Sequence, residues 1–378
     1  MRRRRRRVRR KAAAVCLCTL AIPAAVSAAV KTVPHIAEAA EKLGSVTVGL
    51  ENEPDKYTGE MGFNADFIAD DNDCISEGFG WEEEAEDAEA EQNEEKSSDP
   101  GAKPYPDNWT EDDGSIYRTT YERYSGDKFF GLDGGGQVRN ETDISNGKLL
   151  EESRLLPEFT IEKNGEPQVL IMHTHTTESF EPYEREQYDD TFNYRTTDPS
   201  KNMVMVGDRI AEQLEKGGIG CIHDSTIHDY PSYNGSYDRS AETVKSILAE
   251  YPSIKIVLDI HRDAIASGDS LVQPVVTVDG KDAAQVMIIS GCDDGTMDMP
   301  NYMKNFRFSS LLQQQMSFDY SNFTRPILFD YRNYNQNLTT GSILIEVGSH
   351  GNTLEQAGNA GELIGKSLVR ALDKITEE

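Results

Sequence analysis

Cysteine is scarce in this chain of 378 residues, which has five, and two of them (Cys16 and Cys18) lie in an apolar run near the start. The other three, Cys74, Cys221 and Cys292, are too few and too scattered for a disulfide framework or a cysteine-based zinc site. Without cross-links, the protein has to be stabilised by its own hydrophobic core. We therefore expect one folded domain of about 200 residues.

Sequence motifs of several large enzyme classes are also missing. The chain has no Gly-x-Ser-x-Gly turn, and nothing in the sequence activates Ser179, the serine close to its His-Thr-His segment. It has neither a Walker loop nor the Rossmann glycine pattern. These absences count against serine hydrolases of the α/β type and against nucleotide-binding enzymes.

Positive charge is scarce beyond the first eleven residues. Those eleven hold nine of the 38 Lys and Arg residues, so the remainder carries 29 basic against 66 acidic side chains. A surface this acidic repels phosphate groups, which excludes nucleic acid as a partner.

The basic tip is followed at once by nineteen uncharged, mostly apolar residues, 12–30. About 20 apolar residues span a bilayer as a helix, and the positive flank stays in the cytoplasm. A cleavable signal peptide is the alternative interpretation, because Val26-Ser27-Ala28 resembles a cleavage site. With either, we expect residues 31–378 to be extracytoplasmic and residues 1–30 to be the membrane or signal segment.

The next part of the chain, residues 31–107, is predicted to be a tether. Its centre is an acidic run at residues 82–89, which cannot bury enough apolar surface to offset the entropy of ordering. We expect a disordered linker there. Aromatic residues return in residues 108–163, which predicts a small accessory module before a catalytic domain at residues 164–378.

The catalytic part alternates strand and helix patterns, which predicts an α/β fold with a mostly parallel sheet flanked by helices. The expected strands are 168–172, 219–223, 254–260, 274–278, 285–290 and 342–346. The expected helices are 203–216, 240–250, 301–316 and 353–375.

Three of these strands lead to residues that can bind a metal or transfer a proton. His173 and His175 follow the first strand, His261 follows the third, and Glu346 ends the last. Ligands gather at the carboxyl ends of parallel strands, and imidazoles with a carboxylate are typical ligands of a catalytic zinc. In an extended chain His173 and His175 point to the same side. The pattern predicts a zinc hydrolase.

Glu346 is expected to be buried, because it lies among apolar residues, and a buried carboxylate needs a partner. It is either a general base beside the metal or one half of an ion pair with Arg262 or Arg332. His223 and His228 are predicted to be solvated loop residues.

Three segments together resemble stage II sporulation protein P of endospore-forming bacteria: VLIMHTHTTESF (169–180), VLDIHRD (257–263), and YNQNL with LIEVG (334–348). The likeness extends over about residues 130–375 in consistent order. It implies an amidase-like fold and a zinc-dependent peptidoglycan hydrolase that cuts the amide between N-acetylmuramic acid and L-alanine, with peptide cross-links as a second target. It also implies a role in engulfment between mother-cell and forespore membranes, with stage II sporulation proteins D and M as partners.

The resemblance also implies roles for single residues. His261 matches the second histidine ligand of the amidases, and Glu346 matches their catalytic glutamate. The first histidine ligand is His173 or His175, of which His173 is preferred. The carboxylate ligand falls on Glu178, although soluble amidases place that glutamate further along, at a helix start.

Further residues are expected around this centre. Asp263 is an alternative ligand or supporting residue, as is His175. Arg262 and Arg332 are predicted to orient a carboxylate of the stem peptide through bidentate contacts, and Asn335 and Gln336 to position substrate. The alternative function is a catalytically inactive wall-binding scaffold that has kept the fold.

Overall fold

The computed structural model describes residues 114–189 and 191–377, so the predicted membrane segment and acidic tether lie outside the described residues. In the described part, no helix is long and apolar enough to cross a membrane. The strands are β1 (Ser115–Thr119), β2 (Phe129–Gly131), β3 (Gln137–Asn140), β4 (Pro167–Met172), β5 (Gly220–His223), β6 (Ile256–Asp263), β7 (Ala266–Ser267), β8 (Ser270–Val278), β9 (Lys281–Ala284), β10 (Val286–Gly291), β11 (Ile327–Asp330) and β12 (Gly341–Ser349). The helices are α1 (Asn146–Glu152), α2 (Met203–Lys216), α3 (Ser236–Glu250), α4 (Tyr302–Asp319) and α5 (Leu354–Asp373).

The larger of two sheets has the strand order β2-β3-β11-β10-β12-β6-β4-β5. β12, β6, β4 and β5 run parallel to one another, as do β10, β11 and β3. The two groups meet where β12 runs antiparallel to β10, and β2 is antiparallel to β3. The predicted α/β fold is confirmed, with the correction that the mostly parallel sheet is mixed.

Residues 114–163 take part in both sheets. β2 and β3 extend the larger sheet through the pairing of β3 with β11. β1 pairs with β8, which also pairs with β7 and β9 in the smaller sheet. These strands were not predicted, because runs of only three to five residues give little periodic signal. The boundary between an accessory module and a catalytic domain stays a prediction.

The central strands are covered on both faces, which explains their continuous apolar runs. Successive side chains of a strand point to opposite faces. Val169 and Ile171 of β4 belong to the main core with α2 and α5, whereas Leu170 and Met172 pack with Val244 of α3. The carboxyl ends of β4 and β6 are therefore fixed within a three-layer arrangement.

Helices α2 and α5 each begin at a side-chain cap. The Asn202 side chain accepts a hydrogen bond from the backbone N–H of Val204 at 3.0 Å, and α2 ends at Gly217, which confirms the predicted helix 203–216. α5 begins after Thr353, whose side chain forms a capping box with Gln356.

The segment between β4 and α2 carries several predicted site residues and is anchored by a buried carboxylate. Glu181 is fully buried and accepts hydrogen bonds from Arg185 Nε at 2.6 Å and from the Tyr194 hydroxyl at 2.7 Å. Its backbone N–H donates to the Asn352 carbonyl, and its carbonyl accepts from Leu354. This segment is thereby tied to the start of α5.

Candidate functional site

Three of the chemically important residues come together at the carboxyl ends of β4, β6 and β12. Glu346 and His261 are register partners across the parallel pair β12–β6. Met172, the last residue of β4, pairs with Asp259 on the other side of β6. The rings of His175 and His261 lie 5.2 Å apart between centroids, nearly perpendicular to each other. The predicted convergence of these strand ends is therefore present.

His261 is surrounded by carboxylates. Its Nε2 atom lies 2.8 Å from Asp259 Oδ1, and its Nδ1 atom lies 3.9 Å from Glu178 Oε2. Burial disfavours the charged imidazole, but Asp259, Glu178 and Glu346 outweigh that effect and raise the pKa of His261 to about 10. Such an excess of negative charge favours a cation at this position.

Glu178 lies at the centre of the cluster. Its Oε2 atom accepts a hydrogen bond from the backbone N–H of Arg262 at 3.0 Å, which ties it to β6. Its Oε1 atom is 3.7 Å from the Arg195 guanidinium. The side chain is buried. The predicted ligand Glu178 thus lies beside His261, although it is not at a helix start.

His175 contributes a second imidazole to the cluster. It is buried, and burial together with the nearby His261 and Arg195 lowers its pKa well below the usual value. Its Nε2 atom is 3.2 Å from the Tyr233 hydroxyl, whereas its Nδ1 atom is buried without a hydrogen-bond partner. A buried nitrogen in this state is available as a ligand.

His173 is turned away from this cluster and has other partners. Its Nδ1 atom is 2.9 Å from the Ile260 carbonyl, and its Nε2 atom is 2.9 Å from His223 Nε2. Burial and the neighbouring His223 lower the pKa of His173 to about 3. The structure therefore brings His175, not the preferred His173, together with Glu178 and His261.

The prediction that His223 and His228 are solvated loop residues is wrong. His223 ends β5 and is half-buried between His173 and Asp208, whose Oδ1 atom is 3.0 Å from His223 Nδ1. His228 is buried, with Nδ1 at 2.9 Å from the His173 carbonyl and Nε2 at 3.0 Å from the Thr243 hydroxyl. Both histidines therefore contact His173, one through its side chain and the other through its backbone carbonyl.

The contact between His173 and His223 depends on a glycine in α2. A Cβ atom at Gly207 would lie 2.8 Å from His173 Nε2 and closer still to His223 Nε2. We expect Gly207→Ala to lower the free energy of unfolding by about 1–3 kcal/mol, because two packed imidazoles have to shift. Urea unfolding measures this change.

The matched control for this substitution is Gly147→Ala, also within a helix, where an added Cβ would meet nothing within 4 Å. Alanine has the higher helix propensity, so this control should be neutral or slightly stabilising. Equal destabilisation of both variants would contradict the packing argument.

Asp263 and Arg262 are held in structural contacts. Asp263 Oδ2 is 2.8 Å from Arg325 Nη1, and both side chains are buried. Arg262 Nε donates to the Ser179 carbonyl at 3.0 Å, and Nη2 donates to the Tyr194 carbonyl at 3.2 Å. Both residues hold the end of β6 in place through these contacts. A role of either residue in binding metal or substrate stays a prediction.

The remaining predicted residues follow β11. Arg332 contacts Asp330 at 3.0 Å and donates to the Tyr334 hydroxyl. Asn335 Nδ2 donates to the Tyr237 carbonyl at 2.9 Å. Gln336 is buried. Its side-chain oxygen accepts a hydrogen bond from a backbone N–H of β10, and its side-chain nitrogen donates to a backbone carbonyl of the same strand. These contacts hold the segment after β11 against β10 and α3, while binding of substrate by these residues stays a prediction.

Three residues of the cluster were not predicted: Asp229, Tyr233 and Tyr237. The Asp229 carboxylate accepts a 2.6 Å hydrogen bond from the Thr177 hydroxyl and lies 4.0 Å from His175 Nδ1. Tyr237 meets the His175 ring edge to face at 5.6 Å. All three follow β5, which runs parallel to β4, so the rule on parallel strand ends also indicates this part of the chain.

In ligand type, His175, Glu178 and His261 suit zinc, which binds imidazole nitrogen and carboxylate oxygen. A buried imidazole nitrogen without a hydrogen-bond partner, His175 Nδ1, supports that assignment. Across residues 114–189 and 191–377, however, no group of three or more His, Cys, Asp or Glu is placed so that it could hold a metal ion. The donor chemistry fits zinc, whereas a preformed cage is not seen in this part of the chain.

Among solved structures, the fold is similar to N-acetylmuramoyl-L-alanine amidases. AmiC2 of Nostoc punctiforme is 12% identical at a TM-score of 0.32, over 55% of this chain and 96% of that one. Ami1 of Mycobacterium smegmatis is 10% identical at a TM-score of 0.34, over 56% and 99%. These TM-scores are too low to support a statement about activity.

The sequence comparison is more specific. Stage II sporulation protein P of Bacillus subtilis (strain 168) is 30% identical over 205 residues, 51% of this chain and 48% of that protein, so the match spans about half the length of this relative. The family model described as Stage II sporulation protein P matches residues 65–368, which is most of the chain. The chain therefore belongs to the stage II sporulation protein P family.

Proposed function

We propose that the protein is a zinc-dependent peptidoglycan hydrolase of sporulation that cuts the amide between N-acetylmuramic acid and L-alanine. The observation that carries this proposal is the convergence of His175, Glu178, His261 and Glu346 at adjoining strand ends, with Glu346 beside His261 in register. Membership of the sporulation family supports the biological setting.

In this proposal His175, Glu178 and His261 hold the zinc. Zinc held there would supply a Lewis acid for a carbonyl oxygen and would lower the pKa of a water towards about 7. Glu346, buried next to His261, takes a proton from the attacking water and returns it to the leaving amine of L-alanine. Asp259 lies against His261 and fixes the orientation of its ring.

The cellular setting is part of the same proposal. Residues 1–30 anchor or export the chain, so that residues 31–378 act outside the cytoplasm, between mother-cell and forespore membranes. Peptidoglycan is the substrate, and the partners are stage II sporulation proteins D and M. Cleavage of peptide cross-links is a second activity that product analysis separates from the first.

Substitution of the three histidines tests the proposal on the full chain. We expect His261→Ala and His175→Ala to lose bound zinc and the release of stem peptides from purified sacculi. His173→Gln should keep its zinc, because its nitrogens face Ile260 and His223. Metal content is read by elemental mass spectrometry, and the cleaved bond by mass spectrometry of released muropeptides.

Each outcome has a distinct meaning. Loss of zinc in His173→Gln with retention in His175→Ala would assign the first ligand to His173 instead. A wild-type protein that binds sacculi without releasing fragments would establish the inactive scaffold. Free L-alanine amino termini among the products identify the amidase reaction. Muropeptides that have lost their cross-link, with the stem peptide still attached to muramic acid, identify the endopeptidase.

A further inference from the structure

The carboxylate beside His261 is itself held by a single residue. Asp259 of β6 is buried, and its Oδ1 atom lies 2.8 Å from His261 Nε2. Thr174, in the turn after β4, binds both oxygens of this carboxylate. Its backbone N–H donates to Oδ1 at 2.8 Å, and its hydroxyl donates to Oδ2 at 2.7 Å. Thr174 therefore fixes both the position and the rotation of the carboxylate that contacts His261.

The Thr174 hydroxyl is held in turn by a serine of α3. The Oγ1 atom of Thr174 and the Oγ atom of Ser240 lie 2.9 Å apart, and both side chains are fully buried. Asn335 Nδ2 donates to Ser240 Oγ at 3.1 Å and to the Tyr237 carbonyl at 2.9 Å. Hydrogen bonds thus connect the segment after β11, through α3 and the turn after β4, to Asp259.

The hydrogen bonds of this chain run in one direction. An ionised carboxylate accepts hydrogen bonds and has no hydrogen to donate, whereas a hydroxyl has one. The hydroxyl hydrogen of Thr174 is therefore used for Asp259, and the contact between the two hydroxyls uses the hydrogen of Ser240. The Ser240 oxygen then accepts from the Asn335 amide. Removal of either hydroxyl takes away a donor from the next group on the way to Asp259.

We propose that Thr174 and Ser240 are positioning residues that hold the His261 ring in place through Asp259. The orientation of a ligand histidine depends on its outer partner, which needs hydrogen bonds of its own. Without the Thr174 hydroxyl, the buried Oδ2 atom of Asp259 would lose a hydrogen bond, and this favours rotation of the carboxylate. The role of His261 as a zinc ligand rests on the proposed function, whereas the hold on its ring does not.

Zinc affinity of the full chain, measured by competition with a chromophoric chelator, tests the threonine. Thr174→Val keeps the branched shape of the side chain and removes the hydroxyl. We expect it to weaken zinc binding by about 10- to 100-fold, the range seen when support of a ligand histidine is lost. Thr174→Ser keeps the hydroxyl and should bind zinc as the wild type does. Equal losses in the two variants would show that the methyl group, not the hydroxyl, is needed.

Ser240→Ala tests the second link and should also weaken zinc binding. Its matched control is Ser309→Ala on α4, where a fully buried hydroxyl donates to the Asn305 carbonyl at 3.0 Å. Both variants should lose stability in urea, but only Ser240→Ala should lose zinc affinity. Thr174→Val combined with Ser240→Ala should bind zinc about as weakly as Thr174→Val alone, because residues of one network are not additive. Equal zinc affinities of Ser240→Ala and Ser309→Ala would contradict the role of Ser240.

A measurement without zinc separates this proposal from the proposed function. The sequence has seven histidines, so ¹³C labelling of histidine in the chelator-treated chain gives few ring signals, and His261→Gln assigns those of His261. We expect Thr174→Val to shift these signals and Thr174→Ser to leave them in place. If the wild type neither binds zinc nor releases muropeptides, the hydrolase proposal fails, and the ring signals still decide the positioning role. If the wild type does both, but Thr174→Val changes neither zinc affinity nor the His261 signals, only the positioning role is wrong.

Discussion

Replacing Glu346 by glutamine is expected to lower the rate of sacculus hydrolysis by about 100- to 10,000-fold, the usual contribution of a general base. The glutamine side chain has nearly the same shape but cannot take up a proton. Glu346 lies on β12 beside His261, buried and fixed between two neighbouring strands, so the substitution should leave the fold intact. Release of muropeptides over time from purified sacculi measures the rate.

The matched control is Glu355→Gln in the first turn of α5, where the side chain is exposed. This variant should digest the wall at the wild-type rate. Zinc content should be unchanged in both variants, which distinguishes loss of proton transfer from loss of the metal. A Glu346→Gln protein that keeps its activity within a factor of about 3 would remove Glu346 from the mechanism.

The second large effect concerns stability. Arg325 and Asp263 form a buried ion pair with a 2.8 Å contact, and Asp263 ends β6 two residues after His261. Arg325→Met would leave the Asp263 carboxylate buried without its cation. We expect the free energy of unfolding to fall by about 3–5 kcal/mol, as for other broken buried pairs. Urea unfolding with a constant m-value measures the change.

Two further variants control this experiment. Arg154→Met removes an ion pair with Asp133 in which both side chains are more than half exposed, and this should change stability by less than about 1 kcal/mol. The double variant Arg325→Met with Asp263→Leu removes both charges and should recover much of the loss. A loss below about 1 kcal/mol for Arg325→Met alone would show that solvent reaches Asp263.

Much of the α/β framework could be predicted because its signals are local. The apolar runs of β4 and β6 and the cap at Asn202 each determine a boundary from neighbouring residues alone. The short strands β1 to β3 could not be predicted in this way, since they are stabilised by pairing with β8 and β11, which lie far along the chain.

The sequence predicted which strand ends form the site, but not which side chains at those ends face it. The expectation that His173 and His175 share a direction assumed extended chain, whereas β4 ends at Met172 and residues 174–177 form a turn. That turn directs His173 towards His223 and His175 towards His261. Tertiary contacts decide which of the two imidazoles faces the cluster, and a spacing of two residues does not predict those contacts.

The place of β12 in the chain has a consequence for biosynthesis. It is the last strand of the described residues, and it enters the larger sheet between β6 and β10, both made much earlier. Parallel pairing over such a sequence distance forms late in folding, because a long loop has to close first. Glu346 therefore joins His261 only after β12 itself has been made and has left the ribosome. Under the proposed function, a chain that stops before β12 should therefore be inactive, because it lacks Glu346.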